Sequence, residues 1–297
     1  MKVAKSYSLK EIQQKLEQNE LPFSGITVFG SSEFHFLKPT FFAGVAMHAG
    51  KRIRPEVLEK MMVSKEDRFR EEDPFTDRFI KDFPIQIIGR KSRFEYDLNR
   101  EPFRAIYDTK KKSWGLKIWR QKLTQQERTI SIMKHNEFHD LIDIVTAYLL
   151  QQNRYAVIFD MHSYCYQREE ILAWFEDPKP EINVGTKAVN RNLFGSGIEK
   201  LIEQLSLTRI NGYPIRVMEN ALFEGGYMAR RLSQANYDRL LVLALEYKKI
   251  FMDELSGELF DDKLEKLILD FSAMVKNLTT SSFFMKCTDH KYKTNQK

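Results

Sequence analysis

The distribution of apolar positions along this chain predicts a layered α/β domain. Short apolar runs predict buried strands at residues 40–47, 85–88, 155–159 and 240–245. Apolar residues at helical spacing predict helices at residues 136–151, 197–206 and 263–278. Weaker patterns add a helix at residues 74–82 and strands at residues 93–98 and 214–219. Because strands and helices alternate along the chain, we expect the helices to cover a central sheet.

The N-terminal region has local signals of its own. Ser8 and Glu11 form a capping-box pattern, which predicts a short polar helix that begins there. The tripeptide Gly30-Ser31-Ser32 is typical of a hairpin turn. The two strands that it would connect are residues 25–29 and 33–37.

No low-complexity linker divides the chain, and no repeat with a period of 20–50 residues is visible. We therefore predict one main domain at residues 41–282. Residues 1–40, with their helix and hairpin, are expected to form an extension that packs on this domain. Residues 283–297 are expected to be a flexible tail.

The composition is that of an ordinary globular protein, with 297 residues, 42% of them hydrophobic and 30% charged. The 47 basic and 41 acidic residues are mixed, so the net charge of +6 indicates solvated faces rather than a nucleic-acid platform. The two cysteines exclude a disulfide framework and a four-cysteine zinc site. No apolar stretch approaches the ~20 residues that span a bilayer, and no secretory signal is evident. We expect a cytoplasmic protein without nucleic-acid or membrane partners, and no feature indicates an oligomer.

Two histidines, His48 and His162, each follow an apolar, strand-like run. Either one alone is more often a structural side chain than a metal ligand, but open α/β sheets place ligands at the carboxyl ends of their strands. A catalytic zinc ion takes three protein ligands and leaves a fourth position to water. Two histidines and one carboxylate from Glu71-Glu72-Asp73 meet this need. The same acidic triplet, directly before a helix, could equally compensate the helix dipole.

Further side chains offer binding and acid–base chemistry. Asn99 and Arg100 follow a predicted strand, and a guanidinium binds a carboxylate through two parallel hydrogen bonds, although a surface salt bridge is the alternative. Glu246 ends another apolar run. It is either half-buried, with a raised pKa suited to proton transfer, or simply the first exposed residue. Asp160 points to the same side of its strand as His162, and it either holds the second imidazole nitrogen or forms a structural salt bridge.

Nine short segments occur in the order found in one family, and together they span roughly residues 45–255. The sequence resembles the N-formylglutamate amidohydrolases, which are relatives of zinc carboxypeptidases and aspartoacylases. The segments are His48-Ala49-Gly50, Glu72-Asp73-Pro74-Phe75-Thr76-Asp77, Asp97-Leu98-Asn99-Arg100, Phe138-His139, Asp160-Met161-His162-Ser163, Val184-Gly185-Thr186, Gly225-Gly226-Tyr227, Ala244-Leu245-Glu246 and Phe251-Met252-Asp253-Glu254. The resemblance implies a three-layer α/β/α fold with a central mixed, mostly parallel sheet, as in zinc carboxypeptidases. It also implies that residues 41–282 are a metallohydrolase-like catalytic domain.

The resemblance implies that His48 and His162 bind one Zn²⁺ ion together with a carboxylate. The carboxypeptidase relatives place a glutamate three residues after the first histidine, where this chain has Lys51. The family's aspartate lies just before the predicted helix at residues 74–82, which favours Asp73 as the third ligand. The other candidates for this ligand are, in order, Glu72 and Glu56.

The resemblance also assigns roles around the substrate. It implies that Asn99 and Arg100 hold the substrate carboxylate and that Glu246 is the general base. Arg230 would contact a second carboxylate. The implied reaction is zinc-dependent hydrolysis of an N-formyl or N-acyl acidic amino acid, with N-formyl-L-glutamate as the first candidate. The alternatives are a metallocarboxypeptidase or another N-acyl amino acid deacylase, and a catalytically degenerate binding or regulatory member of the family.

Overall fold

The structure is a computed structural model that describes residues 5–167 and 179–279, so the predicted tail at residues 283–297 lies outside the described residues. The strands are β1 (Ser6–Tyr7), β2 (Phe23–Thr27), β3 (Ser32–Phe36), β4 (Phe42–Ala46), β5 (Ile85–Gly89), β6 (Ala156–Tyr164), β7 (Ile182–Gly185), β8 (Arg209–Ile210), β9 (Tyr213–Pro214), β10 (Val217–Glu219) and β11 (Leu240–Lys248). The helices are α1 (Leu9–Glu17), α2 (Pro55–Leu58), α3 (Lys65–Glu71), α4 (Thr76–Phe79), α5 (Gln125–Gln152), α6 (Arg191–Leu205), α7 (Tyr227–Ala235) and α8 (Asp261–Thr279).

Nine strands form one twisted sheet in the order β1-β2-β3-β5-β4-β6-β11-β7-β10, and β8 and β9 form a separate ribbon. The pairs β1/β2, β5/β4, β4/β6, β6/β11 and β7/β10 are parallel. The pairs β2/β3, β3/β5 and β11/β7 are antiparallel. The predicted mixed, mostly parallel sheet is therefore confirmed.

Helices cover both faces of this sheet, and each helical layer encloses an apolar core. On one face, α4, α6 and α8 bury a cluster that contains Phe79, Phe194 and Phe271. On the other face, α1, α5 and α7 bury a cluster that contains Phe138 and Leu232. Burying one such side chain stabilises the fold by about 1.5–3 kcal/mol. The three-layer α/β/α prediction is confirmed.

The central strand β6 shows how the sheet sorts its side chains. Val157 and Phe159 face the core under α4, α6 and α8, whereas Ile158 faces the core under α5 and α7. Because successive strand residues point to opposite faces, Asp160 and His162 point to the face that α5 and α7 cover. The polar end of β6 therefore presents its functional groups on that face.

The strand that carries His162 is longer than the sequence predicted. β6 continues past Phe159 to Tyr164 and stays paired with β11, up to the pair formed by Tyr164 and Lys248. The predicted strand end at Phe159 is wrong, because pairing between parallel strands satisfies the backbone after the apolar pattern has stopped. His162 lies inside the strand and not in the loop that follows it.

Residues 93–98 do not form the predicted strand. The apolar residues of this segment alternate as in a strand, but the backbone turns. The amide of Glu95 donates to the carbonyl of Ser92 over 3.0 Å, and the amide of Arg100 donates to the carbonyl of Asp97 over 3.3 Å. Local turn bonds therefore replace the ladder that a strand would need.

Three helix boundaries also differ from the prediction, and α6 begins at Arg191 and not at residue 197. α5 begins at Gln125, well before residue 136, because Thr124 and Glu127 form a capping box in a polar stretch without a clear apolar pattern. α4 is a single turn inside the predicted helix at residues 74–82. The helix α4 is thus shorter, and the helix α5 longer, than the apolar pattern predicted.

The predicted helix and hairpin near the N-terminus are confirmed. Ser8 and Glu11 form the capping box of α1, and β2 and β3 are antiparallel. β3 also pairs with β5, which brings the hairpin into the central sheet. The buried carboxylate of Glu137 in α5 accepts hydrogen bonds from the Thr27 hydroxyl (2.7 Å) and the Phe29 amide (2.8 Å). The domain boundary near residue 40 stays a prediction.

Candidate active site

Three buried side chains converge at the carboxyl ends of β4 and β6. His48 lies two residues after β4, His162 lies in β6, and Asp73 lies in the loop between α3 and α4. His48 Nδ1 is 3.3 Å and His162 Nδ1 is 3.0 Å from Asp73 Oδ2. The backbone fixes part of this arrangement, because the amide of Asp73 donates to the carbonyl of His48 over 3.2 Å. The structure thus brings together the three residues that were expected to bind zinc.

Each imidazole turns its other nitrogen towards a second carboxylate. His48 Nε2 donates to Asp97 Oδ1 over 2.7 Å. His162 Nε2 lies 3.0 Å from Asp160 Oδ1, although the two groups are not aligned for a hydrogen bond. A carboxylate at the outer nitrogen orients a metal-binding histidine and leaves the inner nitrogen as a ligand.

The charge of this cluster fits a bound cation. Burial raises the pKa of Asp73, but hydrogen bonds from His162 and His48 outweigh it and hold this pKa well below its usual range. Burial lowers the pKa of His162, but the charges of Asp160 and Glu246 outweigh it and raise this pKa well above its usual range. The cluster therefore favours positive charge at its centre.

The two nitrogen–oxygen spacings of the cluster are also compatible with zinc. With bonds of 2.0–2.1 Å, the ligand atoms of a tetrahedral zinc ion lie about 3.3 Å apart. The nitrogen–oxygen distances of 3.0 and 3.3 Å to Asp73 are close to this spacing. A metal ion held there would have room for a water ligand, because the same residues line an open cavity of about 410 Å³.

Glu246 faces this cavity from β11. It is the direct neighbour of His162 across the parallel pair of β11 and β6. Val242 and Ala244 of β11 face the core under α5 and α7, so Glu246 points to the same side as they do. Its side chain keeps some solvent access, yet desolvation by the surrounding protein raises the pKa of Glu246 to about 7. A carboxyl group with this pKa can exchange protons near neutral pH.

Sequence reasoning missed Arg93, which lines the cavity. Its guanidinium lies 3.3 Å from Asp97 Oδ2 and 3.6 Å from Asp73 Oδ1, and it donates to the Tyr107 hydroxyl over 3.1 Å. Tyr107 in turn donates to Asp97 Oδ2 over 2.6 Å. The spacing of four residues between Arg93 and Asp97 was the available signal, but it was hidden inside a segment assigned to a strand.

Asn99 and Arg100 differ in how they reach the cavity. Asn99 lines it, and its buried Oδ1 has no hydrogen-bond partner among the described residues. Arg100 contacts Asp97 Oδ2 (3.1 Å), donates to the Lys112 carbonyl (2.8 Å) and stacks on the Tyr107 ring. Arg100 is not among the described residues that line the cavity, so its role towards a substrate carboxylate stays a prediction.

The backbone around Asn99 is held by two histidines of α5. His139 Nε2 donates to the Leu98 carbonyl and His135 Nε2 donates to the Arg100 carbonyl, both over 2.9 Å. Burial lowers the pKa of both imidazoles, so these histidines are neutral near pH 7. These two histidines position the segment that presents Asn99.

Two other predicted residues lie away from the cluster. Arg230 is exposed, donates to the Gly225 carbonyl over 3.0 Å and lies 3.7 Å from Glu101. Glu72, the alternative third ligand, accepts a hydrogen bond from the Ser92 hydroxyl. Neither is among the described residues that line the cavity. Asp73, not Glu72, is thus the member of the acidic triplet that meets both histidines.

Ser163, Cys165 and Lys51 have defined places near the cluster. Ser163 and Cys165 line the cavity beside His162. The Cys165 thiol donates to the Arg70 carbonyl over 2.9 Å. The ammonium of Lys51, which occupies the place of the relatives' glutamate, lies 4.3 Å from the centre of the Phe69 ring.

Fold and site together define an α/β protein with a buried His/Asp/His centre suited to a divalent metal ion. The family model described as N-formylglutamate amidohydrolase matches residues 45–251. This match covers more than half of the chain, so the chain belongs to the N-formylglutamate amidohydrolase family. The resemblance seen in the sequence is confirmed, and membership indicates an amidohydrolase.

Solved structures share the fold. The N-formylglutamate amidohydrolase from Ralstonia eutropha JMP134 matches with a TM-score of 0.64 and 16% identity, covering 80% of this chain and 93% of that chain. A gene product from Agrobacterium tumefaciens matches with a TM-score of 0.56 and 19% identity, covering 81% of this chain and 91% of that chain. No curated protein sequence matches the chain. Within the described residues, no helix has the length and apolar character needed to cross a membrane.

Proposed function

We propose that this protein uses one zinc ion to hydrolyse the linear amide bond of an N-formyl or other N-acyl amino acid. The family match supports the amide chemistry. The observation that supports metal dependence is the convergence of His48 Nδ1, His162 Nδ1 and Asp73 Oδ2 beside an open cavity. N-formyl-L-glutamate, the acidic substrate expected from the sequence, is the reference compound.

His48, Asp73 and His162 would hold the ion, with Asp97 and Asp160 orienting the two imidazoles. When bound there, zinc lowers the pKa of a water molecule towards about 7 and polarises a carbonyl oxygen. Two imidazoles and one carboxylate with an open fourth position are a ligand set typical of catalytic zinc.

Glu246 would act as the general base. Its position beside His162 puts the carboxylate next to one of the residues that would hold the ion. It takes a proton from the water molecule and passes it to the departing amine. Arg93 is the cation beside the cluster, and its guanidinium would stabilise the negative charge that develops on the carbonyl oxygen.

Asn99 and Arg100 would orient the substrate by its α-carboxylate. The Asn99 Nδ2 group would donate to a carboxylate oxygen, and the histidine hydrogen bonds to the carbonyls of the residues on either side of Asn99 support a fixed contact point. Holding the amide at a fixed distance from the base replaces a diffusional encounter with an intramolecular one.

The experiment is to purify the protein without chelators, measure zinc by elemental analysis, and follow formate release from N-formyl-L-glutamate and from other N-formyl amino acids. We expect one zinc ion per chain, loss of activity after complete chelation, and recovery when zinc is restored. Hydrolysis that survives complete metal removal would contradict the proposal. A panel of acetyl and succinyl derivatives and a peptide with a free C-terminus separates this activity from other deacylases and from a carboxypeptidase.

A further inference from the structure

The cavity is polar at its base and apolar at its mouth. The base contains the His48, Asp73 and His162 cluster, whereas the mouth is lined by Trp114 and by the turn Leu222–Phe223. These three apolar side chains remain 38%, 44% and 37% exposed, respectively. Large apolar side chains that stay exposed around a polar site are typical of ligand-binding clefts, in which apolar walls surround a few orienting groups.

The turn Leu222–Phe223 is fixed by a buried side chain. Asn183 lies in β7 and is fully buried. Its Oδ1 accepts from the Leu222 amide (2.8 Å) and the Phe223 amide (3.3 Å), and its Nδ2 donates to the Phe223 carbonyl (2.8 Å). The Phe223 ring also packs on Tyr164, with 5.4 Å between ring centres. This wall is therefore rigid before any ligand binds.

Trp114, which also lines the cavity, is fixed as well. Trp114 has a left-handed backbone, with φ of 52°, which is unusual for a bulky residue. Its ring lies 4.8 Å from the Arg93 guanidinium and meets the Tyr107 ring edge-on, with 5.5 Å between ring centres. These ring contacts keep the apolar face of Trp114 next to the Arg93 guanidinium.

Asn99, the proposed contact for the substrate carboxylate, packs against the segment that follows the Leu222–Phe223 turn. The side chain of Asn99 packs directly against Gly226, so that a Cβ on this glycine would overlap with it. Gly226 is only three residues beyond Phe223 in the chain. A substrate whose α-carboxylate contacts Asn99 would therefore lie beside the chain segment that continues from the Leu222–Phe223 turn, in the same cavity.

The positively charged side chains that line the cavity already have partners within the protein. Among the described lining residues they are Arg93, Lys179 and Lys249. Arg93 binds two aspartates, and Lys249 donates to the carbonyls of Arg70 and Glu72. Lys179 donates to the Tyr166 carbonyl over 3.2 Å. To bind an acidic side chain of a substrate, the protein would therefore have to use the Lys179 ammonium, which donates to the Tyr166 carbonyl.

We propose that the natural substrate is an N-acyl amino acid with an apolar side chain, which packs between Trp114 and the Leu222–Phe223 turn. This inference rests on the proposed amide hydrolysis and concerns only the part of the substrate beyond the α-carbon. Each methylene group that enters an apolar pocket changes kcat/KM by about 10- to 200-fold. A glutamate side chain in the same position would bring its carboxylate into contact with these apolar side chains, and a charged group loses hydration there without gaining a partner.

The test compares kcat/KM of the zinc-loaded protein for N-formyl-L-leucine, N-formyl-L-phenylalanine and N-formyl-L-glutamate. We expect at least a tenfold preference for the apolar substrates. Phe223→Ala should lower kcat/KM for them by about tenfold and change that for glutamate little. Phe103→Ala is the matched control, because Phe103 is 80% exposed and is not among the described residues that line this cavity.

A tenfold preference for glutamate that Lys179→Met abolishes would overturn the inference, and so would an equal loss on all substrates in Phe223→Ala. If the zinc-loaded protein hydrolyses none of these compounds, the proposed function fails. The preference for an apolar side chain is then tested by measuring the affinity for each compound. Calorimetry must then show tighter binding of N-formyl-L-leucine than of N-formyl-L-glutamate. Tighter binding of the glutamate derivative would overturn it.

Discussion

Glu246 lies directly opposite His162, one on β11 and the other on β6, in the parallel ladder at the centre of the sheet. Both side chains leave the sheet on the same face, because the two strands are in register. The proposed base and one proposed metal ligand are thus held by backbone hydrogen bonds and not by a flexible loop. This pairing fixes the backbone positions of the two residues relative to each other, in a strand pair whose residues are all buried except Glu246.

The first prediction concerns this proposed base. Glu246→Gln keeps the shape of the side chain and removes its ability to take a proton. We expect turnover to fall by about 10²–10⁴-fold, while the zinc content stays at one ion per chain. Elemental analysis and formate release on the same preparation measure both. Full activity in this variant would show that another group accepts the proton, and Glu199→Gln on the exposed side of α6 is the control.

A second prediction tests the carboxylate behind His48. Asp97→Asn weakens the charged hydrogen bond to His48 Nε2 and removes a charge that also binds Arg93. Zinc affinity should fall by about 10- to 100-fold, as for other outer partners of metal-binding histidines. Competition with a coloured chelator measures the change. The idea fails if affinity is unchanged, or if Asp262→Asn at the exposed start of α8 has the same effect.

A third prediction uses the close contact between Gly226 and Asn99. Gly226→Ala would push the Asn99 side chain out of place, since the added methyl group occupies the same space. We expect KM to rise by roughly tenfold, the loss of about one hydrogen bond, with unchanged zinc content. Gly195→Ala is the control, because its methyl group would meet only Arg191 at an ordinary 3.7 Å. Equal kinetics for the two variants would argue against Asn99 as a substrate contact.

The fourth prediction concerns stability. Glu137→Ala would leave the Thr27 hydroxyl and the amides of Phe29 and Ser31 without their buried acceptor. We expect the free energy of unfolding to fall by about 3 kcal/mol, since each orphaned buried group costs roughly 1–3 kcal/mol. Urea denaturation measures this, with exposed Glu199→Ala as the reference. A change below about 1 kcal/mol would show that water replaces the carboxylate without loss.

The sequence predicted those parts of the fold that local patterns determine. Apolar runs located β6 and β11, and the capping box of Ser8 located α1. Local pattern failed at residues 93–98, where alternating apolar side chains resemble a strand although turn bonds direct the backbone. It also stopped β6 at Phe159, since pairing with a distant strand leaves no local signal.

The same limit applies to the site. Sequence reasoning selected His48, Asp73 and His162, which the structure brings together, and their binding of zinc stays a prediction. It gave Arg93 and Tyr107 no role, because their contacts to Asp97 exist only after the turn at residues 92–100 has formed. It assigned Arg100 to the substrate, whereas in the structure this side chain also braces Asp97.

The support of the Leu222–Phe223 turn by Asn183 has a consequence for how this family member could change. The Asn183 side chain makes all three hydrogen bonds with backbone atoms of the turn, so the Leu222 and Phe223 side chains can be exchanged without removing these bonds. Substitutions at Leu222 or Phe223 could therefore change the shape of the cavity wall one residue at a time without moving the His48, Asp73 and His162 cluster.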